Sequence, residues 1–204
     1  AYLKSKDLKW ETAKTTDIGI ELGFFNNDLT LSLDYFVKKN VDLLAQIDLN
    51  LSSGQIFEIN SSREKPYVNT ASVKNTGWEF MMNYRKQLTK DFHIDATFNI
   101  ATLKNKVLSL GENVQPITSG AMSSYFNDAP SITMPGEAIG SFYGYKIDGF
   151  DAEGNFIFAD MDKNGVVNAN DKVILGSPIP DFTYGLNINM EYKDFDLTLF
   201  FQGV

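Results

Sequence analysis

The sequence predicts an all-β protein whose antiparallel hairpins form a segment of a transmembrane β-barrel. Three observations carry that expectation. Apolar and aromatic residues recur at every second position over three pairs of segments, the period that puts one set of side chains on each face of a strand. These runs are about nine or ten residues long with aromatics near their ends, the length a tilted strand needs to cross a bilayer with rings at headgroup level. Short polar breaks alternate with long connections, as in barrels with short periplasmic turns and long extracellular loops.

In the first hairpin, Ile18, Ile20, Leu22 and Phe24 alternate with Asp17, Gly19, Glu21 and Gly23. Asn26-Asn27-Asp28 turns the chain, and Leu29, Leu31, Leu33, Tyr35 and Val37 alternate with Thr30, Ser32, Asp34 and Phe36. A connection over about 40–70 follows. In the second, Trp78, Phe80, Met82 and Tyr84 alternate with Glu79, Met81 and Asn83. A polar break from Arg85 to Asp91 leads to Phe92, Ile94, Ala96, Phe98 and Ile100, set against His93, Asp95, Thr97 and Asn99. The connection over about 105–180 separates this from the third hairpin. There Tyr184, Leu186, Ile188, Met190 and Tyr192 alternate with Gly185, Asn187, Asn189 and Glu191, and Lys193-Asp194 precedes Phe195, Leu197, Leu199 and Phe201. Alternating runs joined by tight polar breaks read as hairpins. A soluble antiparallel sandwich alternates too, its apolar face being the interior. A secreted, calcium-binding carbohydrate-binding or adhesive sandwich is therefore the alternative.

Composition fits exported β structure. Of 204 residues 13% are aromatic, with sixteen Phe and nine Tyr, residues that favour strands and interfacial belts. No apolar run is long enough for a transmembrane helix. The absence of cysteine argues against a disulfide scaffold, a thiolate zinc site or a thiol nucleophile. The N-terminal AYLKSKDLKW has no apolar signal core, and Phe201-Gln202-Gly203-Val204 ends a strand with no closing partner. An excerpt from a longer chain is the expectation. No catalytic or organic cofactor-binding residues emerge: His93 has no nucleophile beside it in a recognisable motif, and no glycine-rich phosphate cradle occurs.

A net charge of −8 disfavours nucleic acid, whose phosphates require Lys and Arg. Acidic residues gather between Asp148 and Asp171, and DMDKNGVVNAND has the spacing of a calcium loop. Asp160, Asp162 and Asn164 stand at positions 1, 3 and 5, Gly165 at 6, the Val166 carbonyl at 7, Asn168 at 9 and Asp171 at 12. Calcium takes six to eight oxygens on a loop turned tightly by glycine. Position 12 is Asp rather than the longer Glu, and the flanks NFIF and KVIL look extended. The other reading is an Asx- and Gly-rich turn without an ion.

Four blocks carry a family resemblance: LKWETAKTTDIGIELGFFNNDLTLSLDYFVKKNVDLL, VKNTGWEFMMNY, PGEAIGSFYGYKIDGF and DKVILGSPIPDFTYGLNINMEYKDFDLTLFFQGV. In this order they resemble the late barrel region of the SusC/RagA family of TonB-dependent outer-membrane transporters. The resemblance implies that residues 1–204 are part of a barrel of twenty-two strands, without its plug domain and closing C-terminal strand. It implies a multi-pass protein of the Gram-negative outer membrane that imports oligosaccharides or peptides, with a SusD-type surface lipoprotein as lid and TonB engaged through an absent N-terminal part. Outer-membrane lipid would meet the apolar face. The polar set would line a wet lumen: Asp17, Glu21, Thr30, Ser32, Asp34, Glu79, Asn83, His93, Asp95, Thr97, Asn99, Asn187, Asn189, Glu191, Asp196, Thr198 and Gln202. Tyr125 and Phe126, or Phe142, Tyr143 and Tyr145, are sugar platforms or loop-packing residues.

Overall fold

The structure, a computed structural model, describes residues 8–46, 67–111, 114–120 and 129–204. The strands are β1 (Thr12–Phe24), β2 (Leu29–Gln46), β3 (Tyr67–Thr89), β4 (Phe92–Thr102), β5 (Lys104–Ser109), β6 (Ile117–Ser119) and β7 (Ser131–Thr133). Then come β8 (Ser141–Tyr145), β9 (Ile147–Phe150), β10 (Phe156–Phe158), β11 (Lys172–Gly176), β12 (Phe182–Tyr192) and β13 (Phe195–Gly203). The main sheet runs β1-β2-β3-β4-β12-β13, with β5 also beside β3. All three expected hairpins are present and their strands are neighbours. The sheet is open, with β1 and β13 at its edges.

The chain divides into two compact units. One comprises Ala13–Lys39, Lys74–Asn105 and Ile179–Val204 and holds the hairpins. Its register sorts side chains by chemistry. Phe80, Ile100 and Tyr184 share a cross-strand row. So do Met82, Phe98, Leu186 and Phe201, and next Tyr84, Ala96, Ile188 and Leu199. The intervening rows are Asn83, Thr97 and Asn187 with Phe200 as the one apolar member, then Arg85, Asp95, Asn189 and Thr198, then Gln87, His93, Glu191 and Asp196. A one-residue slip on any strand would break every row, so four strands agree on one apolar and one polar face.

The apolar face is open to its surroundings. Leu197 is 51% exposed, Phe201 54% and Ile18 69%. A sandwich buries such residues between its two sheets; among the described residues these, on the two edge strands, are exposed. Aromatic rings edge the face at both ends. Tyr35 and Trp78 meet at 4.7 Å, beside the Phe182–Tyr184 stack, and Phe92 packs edge-on to Tyr192 at the turn end. From Phe182 to Tyr192 is about 34 Å of strand at 3.4 Å per residue. A tilt of about 40° reduces that to roughly the 25 Å of an outer-membrane apolar band.

The three short turns share one end of the sheet. Phe25, Asn26 and Asn27 have φ of 55, 55 and 69°, and Lys193 has 55°, left-handed conformations suited to tight hairpin turns. The Arg85 amide donates to the Asp28 carbonyl at 2.8 Å, and the Lys193 amide to the Asp91 carbonyl at 2.9 Å, linking each turn region to the next. The second break is shorter than its polar sequence suggests. β3 continues to Thr89 and the turn is Lys90-Asp91, because Arg85 and Gln87 extend the polar face opposite Asp95 and His93. Lys86 reaches the apolar side, where Asp28 neutralises it.

The other unit comprises Ala1–Thr12, Asn40–Val73 and Lys106–Pro178. Here strands reach into both expected connections. β2 extends to Gln46 and β3 begins at Tyr67, while β5 to β11 lie within 104–176. Ladder hydrogen bonds do not need the period-two pattern, so strand continues where alternation fades. Ala71, Val73, Val107 and Leu110 form a small core with Leu43, Val114 and Ile117 packed against it. The Val107 amide donates to the Glu137 carbonyl at 2.8 Å, and the Gly136 amide returns to the Val107 carbonyl at 2.9 Å. A four-stranded sheet runs β11-β8-β7-β6, and β9 pairs with β10.

Candidate functional site

The acidic loop joins β10 to β11, and both flanks are strands. Its bonds begin at Asp160. One carboxylate oxygen accepts the Asn164 amide at 3.2 Å and the other the Gly165 amide at 2.7 Å. Asp162 accepts the Asn164 amide at 3.1 Å and its side-chain Nδ2 at 2.8 Å. Gly165 has φ of 87°, and a Cβ there meets nothing within 4 Å. Glycine is required by backbone conformation rather than by space.

Asp171 is the hub. Fully buried, it accepts the amides of Met161 at 2.8 Å, Asp162 at 3.3 Å and Asn168 at 2.7 Å. Asn168 caps the short 3-10 turn Ala169–Asp171, its Oδ1 accepting the Asn170 amide at 2.9 Å. Together Asn168 and Asp171 form a capping box. The N-x-x-D spacing carried that signal, but read as calcium positions 9 and 12 it concealed the cap.

Carboxylate oxygens of Asp160, Asp162 and Asp171 lie within 4.8 Å of one another. The remaining residues of the expected ligand set belong to the same turn. Asn164 Oδ1 accepts the Val166 amide at 2.8 Å, and the Val166 carbonyl accepts from Asn168 Nδ2 at 3.0 Å. The turn is thus braced by its own Asx bonds, with three converging carboxylates.

The Asn168 amide is the largest influence holding the Asp171 carboxyl below the ordinary carboxylate range. Burial opposes it, and the Asp162 and Met161 amides and the Asp160 side chain add to it. A depressed folded-state pKa gives stability that is present above the unfolded value, about 3.9, and is lost as pH falls through the folded one. Amide protection factors at Met161, Asp162 and Asn168, taken against the intrinsic rate at each pH, should therefore hold from neutral pH to about 4 and fall below it. In Asp171→Asn protection should be low already at pH 7. Protection in that variant equal to wild type would remove Asp171 from the hub role.

On the polar face, Arg85 pairs with Asp95 at 2.6 Å. Thr97 donates to Asn83 at 2.9 Å, and Thr198 to Asn189 at 2.8 Å. His93 lies on the polar face, opposite Gln87 and Glu191 across the strands. Tyr145 packs on Phe158 at 5.5 Å with Lys172 Nζ 5.3 Å from its ring centroid. Phe142 is exposed, whereas Tyr125 and Phe126 lie outside the described residues. The sequence reading missed Phe150, which packs on Phe156 at 5.4 Å across the β9–β10 hairpin.

The family described as "TonB dependent receptor-like, beta-barrel" matches residues 1–204. TonB-dependent receptor P3 of Formosa agariphila is 37% identical over 97% of the chain and 20% of its own length. TonB-dependent receptor SusC of Bacteroides thetaiotaomicron is 30% identical over 95% of the chain and 19% of its own. The chain spans about a fifth of the length of the curated relatives it matches. Among solved structures, the RagAB peptide transporter superposes with a TM-score of 0.73 at 21% identity, over 99% of this chain and 22% of that one. The RagAB peptide importer in its "open-open" state gives 0.76 at 22% identity, over 96% and 20%. At these identities the solved structures speak for the fold. With its two-faced hairpin sheet and a family match over all 204 residues, the chain belongs to the TonB-dependent receptor-like β-barrel family of SusC/RagA type, a family of the outer membrane.

Proposed function

We propose that residues 1–204 are part of the barrel domain of an energised outer-membrane importer for oligosaccharides or peptides. The observation that carries this is the exposed apolar face opposite a hydrogen-bonded polar face, kept in register over four strands. Lipid satisfies the first and a wet lumen the second. β1 and β13 are free edges, and a bilayer tolerates no unpaired edge. Closure into about twenty-two strands by the rest of the longer protein resolves this. A SusD-type lipoprotein serves as lid, and TonB supplies energy through the plug side. Deleting the full-length gene should abolish uptake of a labelled oligosaccharide or peptide pool to the same extent as deleting TonB. Undiminished uptake in both strains would refute the reading.

The shared end of the three short turns faces the periplasm and the connections after β2 and β4 face outward. In intact cells, a membrane-impermeant thiol reagent should modify a cysteine placed at Ser119 and spare one at Asn27. The reverse pattern would invert the topology.

The carboxylates of Asp160, Asp162 and Asp171 hold a structural Ca²⁺, with Asn164 and the Val166 carbonyl completing the shell and Asn168 direct or through water. Three like charges this close repel, and a divalent ion offsets that repulsion. Affinity in the range of about 10⁻⁴ to 10⁻³ M suffices for an extracellular site. Terbium luminescence on the full-length protein should show one such site, lost in Asp160→Ala and Asp162→Ala. The same signal in all three proteins would leave only the Asx turn.

A further inference from the structure

The apolar face of the hairpin sheet has a basic border beyond its aromatic edge, away from the short turns. Lys14, Thr16, Ile18 and Ile20 share one face of β1 by alternation, as do Leu33, Tyr35, Val37 and Lys39 on β2 and Lys74, Thr76 and Trp78 on β3. Three contacts align these strands. A Cβ on Gly19 would meet the Asp34 side chain, Phe36 lies against Gly77, and Tyr35 packs on Trp78. Lys14, Lys39 and Lys74 therefore come side by side on successive strands. Lys104, just past Thr102 whose Oγ1 accepts the Trp78 amide at 2.9 Å, joins them.

Like charges abreast on neighbouring strands destabilise a sheet, so this border carries a cost that an anion would remove. Among the described residues none of the four lysines makes an ion pair. Asp17 and Glu21 on β1, Asp34 on β2 and Glu79 on β3 have the opposite parity and point to the other face, and Asp42, at the far end of β2, makes no ion pair with these lysines. Lys39 and Lys74 are four residues beyond Tyr35 and Trp78. That is about 14 Å along the strand and about 10 Å along the barrel axis at a tilt near 40°. If the rings mark the upper edge of the hydrocarbon, the ammonium groups lie at headgroup depth, their stems over apolar surface.

We propose that Lys14, Lys39, Lys74 and Lys104 bind the phosphate of an anionic glycolipid headgroup in the outer leaflet. The inference rests on the membrane reading above, with the short turns inside. Its ligand is lipid rather than a protein acid because the border continues the apolar face without a break.

The test uses the full-length protein in phosphatidylcholine nanodiscs doped with monophosphoryl lipid A or its dephosphorylated form, with bound lipid counted by native mass spectrometry. Wild type should retain the phosphorylated lipid preferentially, release it at about 1 M salt, and keep it against millimolar inorganic phosphate. The quadruple Lys→Gln variant should retain about tenfold less or lower, and the quadruple Lys→Arg variant should retain it fully. Equal retention of both lipids by wild type, or displacement by inorganic phosphate, would overturn the proposal. So would an unchanged Lys→Gln variant. Should that variant fail to fold, the salt and phosphate arms on wild type decide. A wild-type protein that never enters phosphatidylcholine bilayers would instead sink the membrane reading itself.

Discussion

Ile188→Arg should lower the stability of the full-length protein folded into lipid vesicles by about 2–4 kcal/mol, the cost of a cation at mid-bilayer on the outside of a barrel. Ile188 is the right probe because both neighbours across the strands, Ala96 on β4 and Leu199 on β13, are apolar. Its row also lies between the two aromatic edges, far from any headgroup to which Arg could extend. Leu199→Arg should cost a similar amount. Thr198→Arg, one residue away on β13, points to the other face and gives up a single hydrogen bond to Asn189. A neutral hydrogen bond contributes about 1 kcal/mol net, and a wet lumen solvates the new charge, so the loss should stay near that figure. Urea titration of the folded protein in vesicles measures all three variants. Equal penalties at positions 198 and 199 would mean that both faces are dry, and the lumen assignment would fall.

Gly77→Ala should destabilise by about 3 kcal/mol, at the upper end of overpacking penalties. Gly77 is buried in β3, and an added Cβ would lie 2.1 Å from the Thr102 carbonyl oxygen and 2.8 Å from the Phe36 ring. A ring can rotate away, but a backbone carbonyl in a ladder cannot move without breaking its own bonds. Phe36→Ala should consequently fail to rescue Gly77→Ala, and the double variant should be at least as unstable as the single one. Rescue would show that the ring sets the limit. Gly19 makes the contrast. Its added Cβ would strike only the flexible Asp34 carboxylate, so Gly19→Ala should be mild.

The sequence was most legible where lipid and water impose opposite demands on alternate residues. From Trp78 to Tyr84 and from Tyr184 to Phe201, period-two patterning located the strands, their turns and the division of faces. All of these are local properties, because each residue's face follows from its parity alone. The loop from Asp160 to Asp171 was legible as well: glycine at a positive φ and carboxylates two residues apart dictate a tight acidic turn whatever surrounds it.

What parity cannot express was decided by tertiary structure. The polar break at Arg85–Asp91 proved to be mostly strand: Asp95 takes the Arg85 charge across the hairpin, and Asp28, far off in sequence, takes the Lys86 charge and the Arg85 amide. β3 runs back to Tyr67 although the alternation stops at Trp78, since Ala71 and Val73 pack against Val107 and Leu110 instead of facing lipid. Asp171, read as the position-12 ligand, is in addition a buried hub, because three backbone amides converge on it only once the loop has closed. Membership of the apolar and polar faces was thus determined residue by residue along the chain. Register, strand ends and the role of each charge waited on neighbours that only folding brings within reach.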